Sequence, residues 1–315
     1  MKSFLKTGRS LTRTLLILTL SLLGVSTAGA QSRTSGPELL RYSDLVALYE
    51  NEKPAQGLQQ RLSELLSMPF VDNAINAQGI KRPGPAPTSF RVATWNIERG
   101  LEFDAIKAAL TNDQRFFRRL TPATRSTHFD LKSILEQSGR LSNADVVVLN
   151  EVDWGLKRTK YRNVARDLAL ATHMNYAYAV EFVEIDPLTL GTETLEGESG
   201  NDKAEIVKNL SVDTSRTLGL HGTAILSRFP LKNVRVVRFV NQGHDWYADE
   251  KKAISALEKG KRKGAGIVFS ERIVREVRRG GRMMSLADVE EPRIPGGVVT
   301  IAATHLEQKA NLVVG

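Results

Sequence analysis

Three polar side chains stand directly behind apolar runs. Asn96 follows Val92-Ala-Thr-Trp95, Glu151 lies in Asn150-Glu151-Val-Asp153 behind Asp145-Val-Val-Val-Leu149, and His305 follows Val298-Val-Thr-Ile-Ala-Ala-Thr304. A fourth run, Thr223-Ala-Ile-Leu226, stops on Ser227-Arg228. Taken singly, each is the ordinary polar end of a strand. Together they form a set with defined chemistry. A carboxylate can hold Mg²⁺, which keeps most of its waters and asks for only one or two protein carboxylates. An amide donates and accepts, so Asn96 can orient a neighbour or a phosphate oxygen, and an imidazole can donate to a developing negative charge. That combination suits a phosphate ester. Strand ends of layered α/β proteins face a crevice, so Asn96, Glu151 and His305 are expected to converge. Asp153, His221 and Arg228 have no distinctive context; Asp153 and His221 read as structural or supporting, and Arg228 receives no chemical role.

The elements that must position these groups follow from periodicity. Strands are expected at Phe90–Trp95, Asp145–Leu149, Asn175–Phe182, Thr223–Leu226, Val234–Phe239 and Val298–Thr304, with the clearest helix over Arg162–Thr172. Short β-branched runs alternating with helical periods indicate an α/β or mixed layered sheet. Before them, Leu39, Leu40, Leu45, Val46 and Leu48, and then Leu58, Leu62 and Leu65, predict two short helices within residues 31–80. Lys81-Arg-Pro-Gly-Pro-Ala-Pro87 breaks the period, so 81–88 reads as a linker and 89–315 as the main domain. Residues 185–218 lack a sustained period and read as a long surface loop. Gly280-Gly281, between Arg272–Arg278 and Arg282–Val289, predicts a hairpin.

Residues 1–30 carry Lys2, Lys6, Arg9 and Arg13, then the apolar run Leu15–Val25 and Ala28-Gly-Ala30. This is a signal-peptide pattern, with cleavage expected after Ala30 and a bacterial periplasmic or secreted location; the run is short of the ~20 residues a membrane span needs. With no cysteine, the exported protein would rest on packing alone. The formal charge of +9 is concentrated: Lys251 to Arg282 holds eleven Lys or Arg against three Glu. A basic arm of this kind suits a phosphate-bearing partner, nucleic acid or anionic lipid headgroup, and equally a solvated surface. No aromatic residues interleave with its charges in the way single-strand stacking requires.

Thr94-Trp-Asn96-Ile, Leu149-Asn-Glu151-Val-Asp153, Gly222-Thr-Ala-Ile-Leu-Ser-Arg-Phe-Pro-Leu231 and Thr304-His-Leu306 occur in an order that resembles the endonuclease/exonuclease/phosphatase superfamily, from about Phe90 onward. That family comprises metal-dependent phosphate-ester hydrolases, including nucleases, inositol polyphosphate phosphatases and sphingomyelinases. The resemblance implies a four-layer α/β (α+β) sandwich of two packed mixed β-sheets flanked by helices. It also implies Mg²⁺ or Mn²⁺ on Glu151 with Asn96 beside it, and His305 stabilising the phosphoryl oxygens. Two further family motifs, Gly-Asp-x-Asn and Ser-Asp-His, are not found: Leu306–Gly315 contains neither Asp nor His. In-line attack needs a base for water, so the chain is expected to be a C-terminally incomplete piece, inactive as it stands, of an exported phosphodiesterase. The rival expectation is a non-catalytic phosphate-binding or envelope-associated module.

Overall fold

The computed structural model describes residues 35–77, 89–119, 130–186, 212–252, 277–291 and 295–306. The expected signal peptide, the linker, most of the 185–218 loop, the middle of the basic arm and the chain beyond Leu306 lie outside the described residues.

The valine-rich run of residues 146–149 opens strand β3 (Val146–Trp154), which lies inside a six-stranded mixed sheet. One neighbour is β2 (Val92–Arg99), which is parallel to it and forms the sheet's edge. The other is the antiparallel β5 (Leu220–Ser227), followed by β4 (Asn175–Glu184). The outer side of β4 pairs with two short strands, β1 (Phe70–Asp72) and β7 (Arg278–Gly280). A second sheet has the order β6 (Leu231–Arg238), β8 (Met283–Glu290), β9 (Val298–Thr304). It is antiparallel throughout, whereas both sheets were expected to be mixed.

Alternation along the strands makes two cores. Val147, Leu149, Tyr176, Tyr178, Val180 and Leu226 face a helical layer built from α1 (Tyr42–Glu50), α2 (Gln56–Ser67), α3 (Phe103–Thr111) and α6 (Val164–Thr172). Val146, Val148, Ala177 and Ile225 face Leu231, Ala287, Val289, Ile301 and Ala303 of the second sheet. The fold is thus an α/β sandwich of two packed sheets with helices on the larger one. The helices α4 (Gln114–Arg119) and α5 (Leu131–Ser142) extend that layer beside α3.

The segment ahead of the expected linker joins the same core. Leu45, Leu48, Leu62 and Leu65 are buried in the helical layer, and Phe70 of β1 meets Trp154 edge-on at 4.9 Å. An apolar helical stripe needs a partner, and here it is the face of β4.

The expected hairpin around Gly280-Gly281 is corrected. β7 belongs to the first sheet and β8 to the second, so this dipeptide carries the chain from one sheet to the other. Gly280 has φ 123°, and a Cβ there would meet the Glu181 carbonyl oxygen at 2.3 Å. Close approach, not a tight turn, requires the glycine. The three arginines at this end of the basic arm point inward. Arg278 is buried between the rings of Phe182 and Trp246, and burial pulls its guanidinium down to about 10. Arg279 lies 3.3 Å over the Tyr247 ring and donates to the carbonyls of Leu48, Asn51 and Glu52, the C-terminal end of α1. Arg282 enters the site described next.

Candidate functional site

The strands do not end where the apolar runs stop. β2 runs through Asn96 to Arg99 and β3 through Glu151 to Trp154, with register shifts between Asn96 and Arg99 and between Leu149 and Val152. A third shift falls in β4, between Val180 and Phe182. Each is a β-bulge, and bulges re-aim side chains. In β3 the effect can be followed by parity. Val147 and Leu149 face the helices, so strict alternation would send residue 151 there too and residue 152 to the other face. Instead Val152 is in the helical core, and Glu151, at φ 54°, points to the site. In β4 the extra residue is Glu181, inserted between Val180, paired with Gly222, and Phe182, paired with His221.

These bulges bring the expected residues together. Asn96 Nδ2 donates to Glu151 Oε1 at 2.8 Å, and Asn96 Oδ1 accepts from the Glu98 backbone N–H at 3.0 Å, which fixes the amide's orientation. His305 Nε2 lies 3.6 Å from the same Glu151 oxygen. The imidazole follows directly on β9, whose last residue is tied to β3: Asn150 Nδ2 donates to the Thr304 carbonyl at 3.4 Å. Asn96 and His305, more than two hundred residues apart, thus converge on one carboxylate oxygen of Glu151.

Two members of the cluster were not foreseen. Arg282 Nη1 lies 3.0 Å from His305 Nδ1 and 3.0 Å from Glu181 Oε1. A guanidinium only donates, so the geometry assigns Nδ1 as the acceptor and places the imidazole proton on Nε2, towards Glu151. Glu181 is fully buried. Burial would raise its carboxyl, but His305 and Arg282 beside it, with His221 nearby, outweigh that and hold it below the usual carboxylate range. Among the described residues its Oε2 has no hydrogen-bond partner, and it lies 3.8 Å from His305 Nδ1. A sequence signal for Glu181 existed: it interrupts the otherwise apolar Tyr176–Val183 run, which Glu184 closes, and a carboxylate inside a core needs a partner. Arg282 was hidden among ten other basic residues.

Asp153 and His221 lie behind the site. His221 Nδ1 is 2.9 Å from Asp153 Oδ1, and both are buried. Arg228 donates to the carbonyls of Ala144 and Ser142, a scaffold contact at the other end of the sheet.

Among the described residues no group of three His, Cys, Asp or Glu has metal-binding geometry. The donor chemistry nevertheless fits the protein's share of one hydrated Mg²⁺ or Mn²⁺: a part-exposed carboxylate, Glu151, held by an amide.

Residues 93–295 match the family model described as the Endonuclease/Exonuclease/phosphatase family. The matched stretch contains Asn96, Glu151, Glu181 and Arg282, and stops short of His305. No curated protein matches. A solved structure of an endonuclease/exonuclease/phosphatase from Beutenbergia cavernae DSM 12333 is similar at 18% identity and a TM-score of 0.30, over 70% of this chain. The chain spans 39% of the length of that protein. With the family model covering well over half of its 315 residues, this chain belongs to the endonuclease/exonuclease/phosphatase family, whose members hydrolyse phosphate esters.

Proposed function

We propose that this protein serves as an exported, metal-dependent phosphodiesterase that uses water as the nucleophile, with inversion at phosphorus and no covalent intermediate. The observation that carries the reading is the shared Glu151 oxygen, reached by Asn96 at 2.8 Å and by His305 at 3.6 Å. Glu151 would hold the metal, with Asn96 beside it. When bound, Mg²⁺ or Mn²⁺ neutralises charge on the phosphoryl oxygens. Asn96 orients Glu151. The Nε2–H of His305 is the donor for a phosphoryl oxygen, and Arg282 fixes that tautomer.

The substrate class favoured is a polyanion. Both stems of the basic arm are anchored at the C-terminal end of α1, where Lys251 donates to the Tyr49 carbonyl and Arg279 to its neighbours. Arg282 then follows within the site. If duplex DNA is the ligand, affinity falls steeply with salt, by about 0.9 log units per tenfold salt for each phosphate neutralised, and a flat response directs attention to small organic phosphates.

Mn²⁺ titration of the full chain by electron paramagnetic resonance tests the metal assignment. Glu151→Gln is expected to weaken Mn²⁺ binding by at least about tenfold, the equivalent of 1.4 kcal/mol, and to abolish whatever hydrolysis of bis(p-nitrophenyl) phosphate the chain supports. Equal Mn²⁺ affinity in the variant would overturn the reading. Export is checked by intact mass after expression with the natural N-terminus: a mature product starting at Gln31 is expected.

A further inference from the structure

We propose that Arg158, assisted by His221, is a positioning residue that sets the aim of the two site carboxylates, Glu151 and Glu181. The inference rests on the phosphodiesterase reading for the roles of those carboxylates, but not for its geometry.

Strands β3, β5 and β4 are neighbours, and their pairing is interrupted at the bulges that carry Glu151 and Glu181. Broken pairing loosens the hold of the backbone on the β5 side of each bulge, although the Gly281 N–H still donates to the Glu181 carbonyl at 2.9 Å on the other side of β4. Just past each interruption stands a buried ionisable group: Asp153 two residues after Glu151, His221 on β5, and Glu184 three residues after Glu181. Arg158, from the 3-10 turn Lys157–Thr159, joins them. Its Nε and Nη2 reach Asp153 at 2.6 and 3.1 Å, while Nη2 and Nη1 reach Glu184 at 2.6 and 3.1 Å. His221 Nδ1 adds a bond to Asp153 at 2.9 Å. One guanidinium therefore links β3 to β4 across β5, while β5 is tied in by its own imidazole.

Stability alone is a poor account of this arrangement. The Arg158 side chain is 2% exposed and the two carboxylates 0% and 4%, so three charges lose their hydration. Apolar residues of similar volume would serve folding equally well or better. What they lack is direction. A planar fork with two bonds to each carboxylate fixes distance and angle between two strands, which a lysine's point charge does not.

The test is hydrogen–deuterium exchange on the full chain, comparing Arg158→Lys with Leu110→Ala, a buried helical-layer substitution away from the bulges. Arg158→Lys is expected to speed exchange at 149–153 and 180–184 by about tenfold or more, with little change elsewhere, and Leu110→Ala to leave those segments near wild type. The same variant should lose Mn²⁺ affinity, read by electron paramagnetic resonance, while Leu110→Ala should keep it. Exchange at the bulges that is unaltered, or altered equally by Leu110→Ala, overturns the proposal. Should Arg158→Lys fail to fold, His221→Asn removes only one of the bonds to Asp153; it is expected to raise exchange at 149–153 by about threefold, and no rise sinks the idea equally. A wild-type chain that does not bind Mn²⁺ would refute the functional reading, while the exchange data would still decide the role of Arg158.

Discussion

Replacing Arg282 with methionine isolates the electrostatics of the site, because it removes the guanidinium while keeping an unbranched side chain. In the native protein Arg282 Nη1 is 3.0 Å from a Glu181 oxygen, with side-chain exposures of 13% and 0%. Breaking a buried pair by deleting one partner costs about 3–5 kcal/mol, since the remaining charge is stranded. At about 2–4 °C per kcal/mol this corresponds to a melting point lower by about 6–20 °C at pH 8. The sign of the pH dependence is the sharper test. In the native chain Glu181 is held below its ordinary value, so its contribution to stability is complete above about pH 4.5 and is lost as pH falls further. Burial is already the largest single influence on Glu181; removing Arg282 takes away part of what opposes it, leaving His305 and His221, and the carboxyl moves upward. The variant then regains stability as pH falls from 8 towards 5, because Glu181 escapes its cost by taking a proton. Urea denaturation of both proteins at fixed pH values from 5 to 8 should show the gap shrinking with acidity. Adding Glu181→Gln to the variant should restore most of the loss at pH 8. A gap of the same size at pH 5 and pH 8, or one under about 1 kcal/mol at pH 8, would refute the argument that Arg282 compensates a buried carboxylate.

The other predictions concern the frame around the site. Burial opposes ionisation of Glu184, but Arg158 and Arg278 hold its carboxyl down at about 2, so this group's contribution is present above about pH 4.5 and drains away below it; the stability of Glu184→Gln should depend less steeply on pH between 5 and 3. Gly222→Ala should destabilise by about 1–3 kcal/mol or more, because its Cβ would stand 2.0 Å from the Ala179 carbonyl oxygen, between β5 and β4. Gly57→Ala, in α2 with nothing within 4 Å, should instead stabilise by about 0.5–1 kcal/mol; thermal melts of the two variants that shift in the same direction would contradict the close-packing account.

The residues that were legible in sequence are those whose surroundings are local. The apolar runs before Asn96, Glu151 and His305 mark β2, β3 and β9 without reference to any partner, and the leucine spacing before residue 70 marks α1 and α2. The alternation within the Val146–Leu149 run, with one half towards the helices and the other towards the second sheet, follows from the same signal. What sequence could not supply was register. Whether Gly280-Gly281 closes a hairpin depends on what Arg278–Gly280 pairs with, and it pairs with Phe182–Glu184, about a hundred positions earlier. Charge runs were misleading for the same reason. Arg278, Arg279 and Arg282 belong to a stretch that looks solvated, yet each is occupied by a ring, a carbonyl or a carboxylate contributed by distant chain.

The bulges explain why Glu181 and Glu151 can be in the site at all. A regular strand offers one face to the helices and one to the second sheet, and both are apolar over most of the length of β3 and β4. A carboxylate placed on either face of such a strand would meet a core. Inserting one residue flips the parity, so that Val152 and Val183 resume their places among the helices while the inserted positions are released from both cores. The cost is a gap in the ladder of hydrogen bonds, and gaps at the same level on both sides of β5 concentrate that cost where precise placement matters most. Side chains must then do what backbone pairing no longer does. Asn96 holds Glu151 from the edge strand, Arg282 holds Glu181 from the crossover between sheets, and Arg158 ties the strands together from beneath. A chain with the same apolar pattern but without the bulges would fold into the same two layers and have no place for either carboxylate.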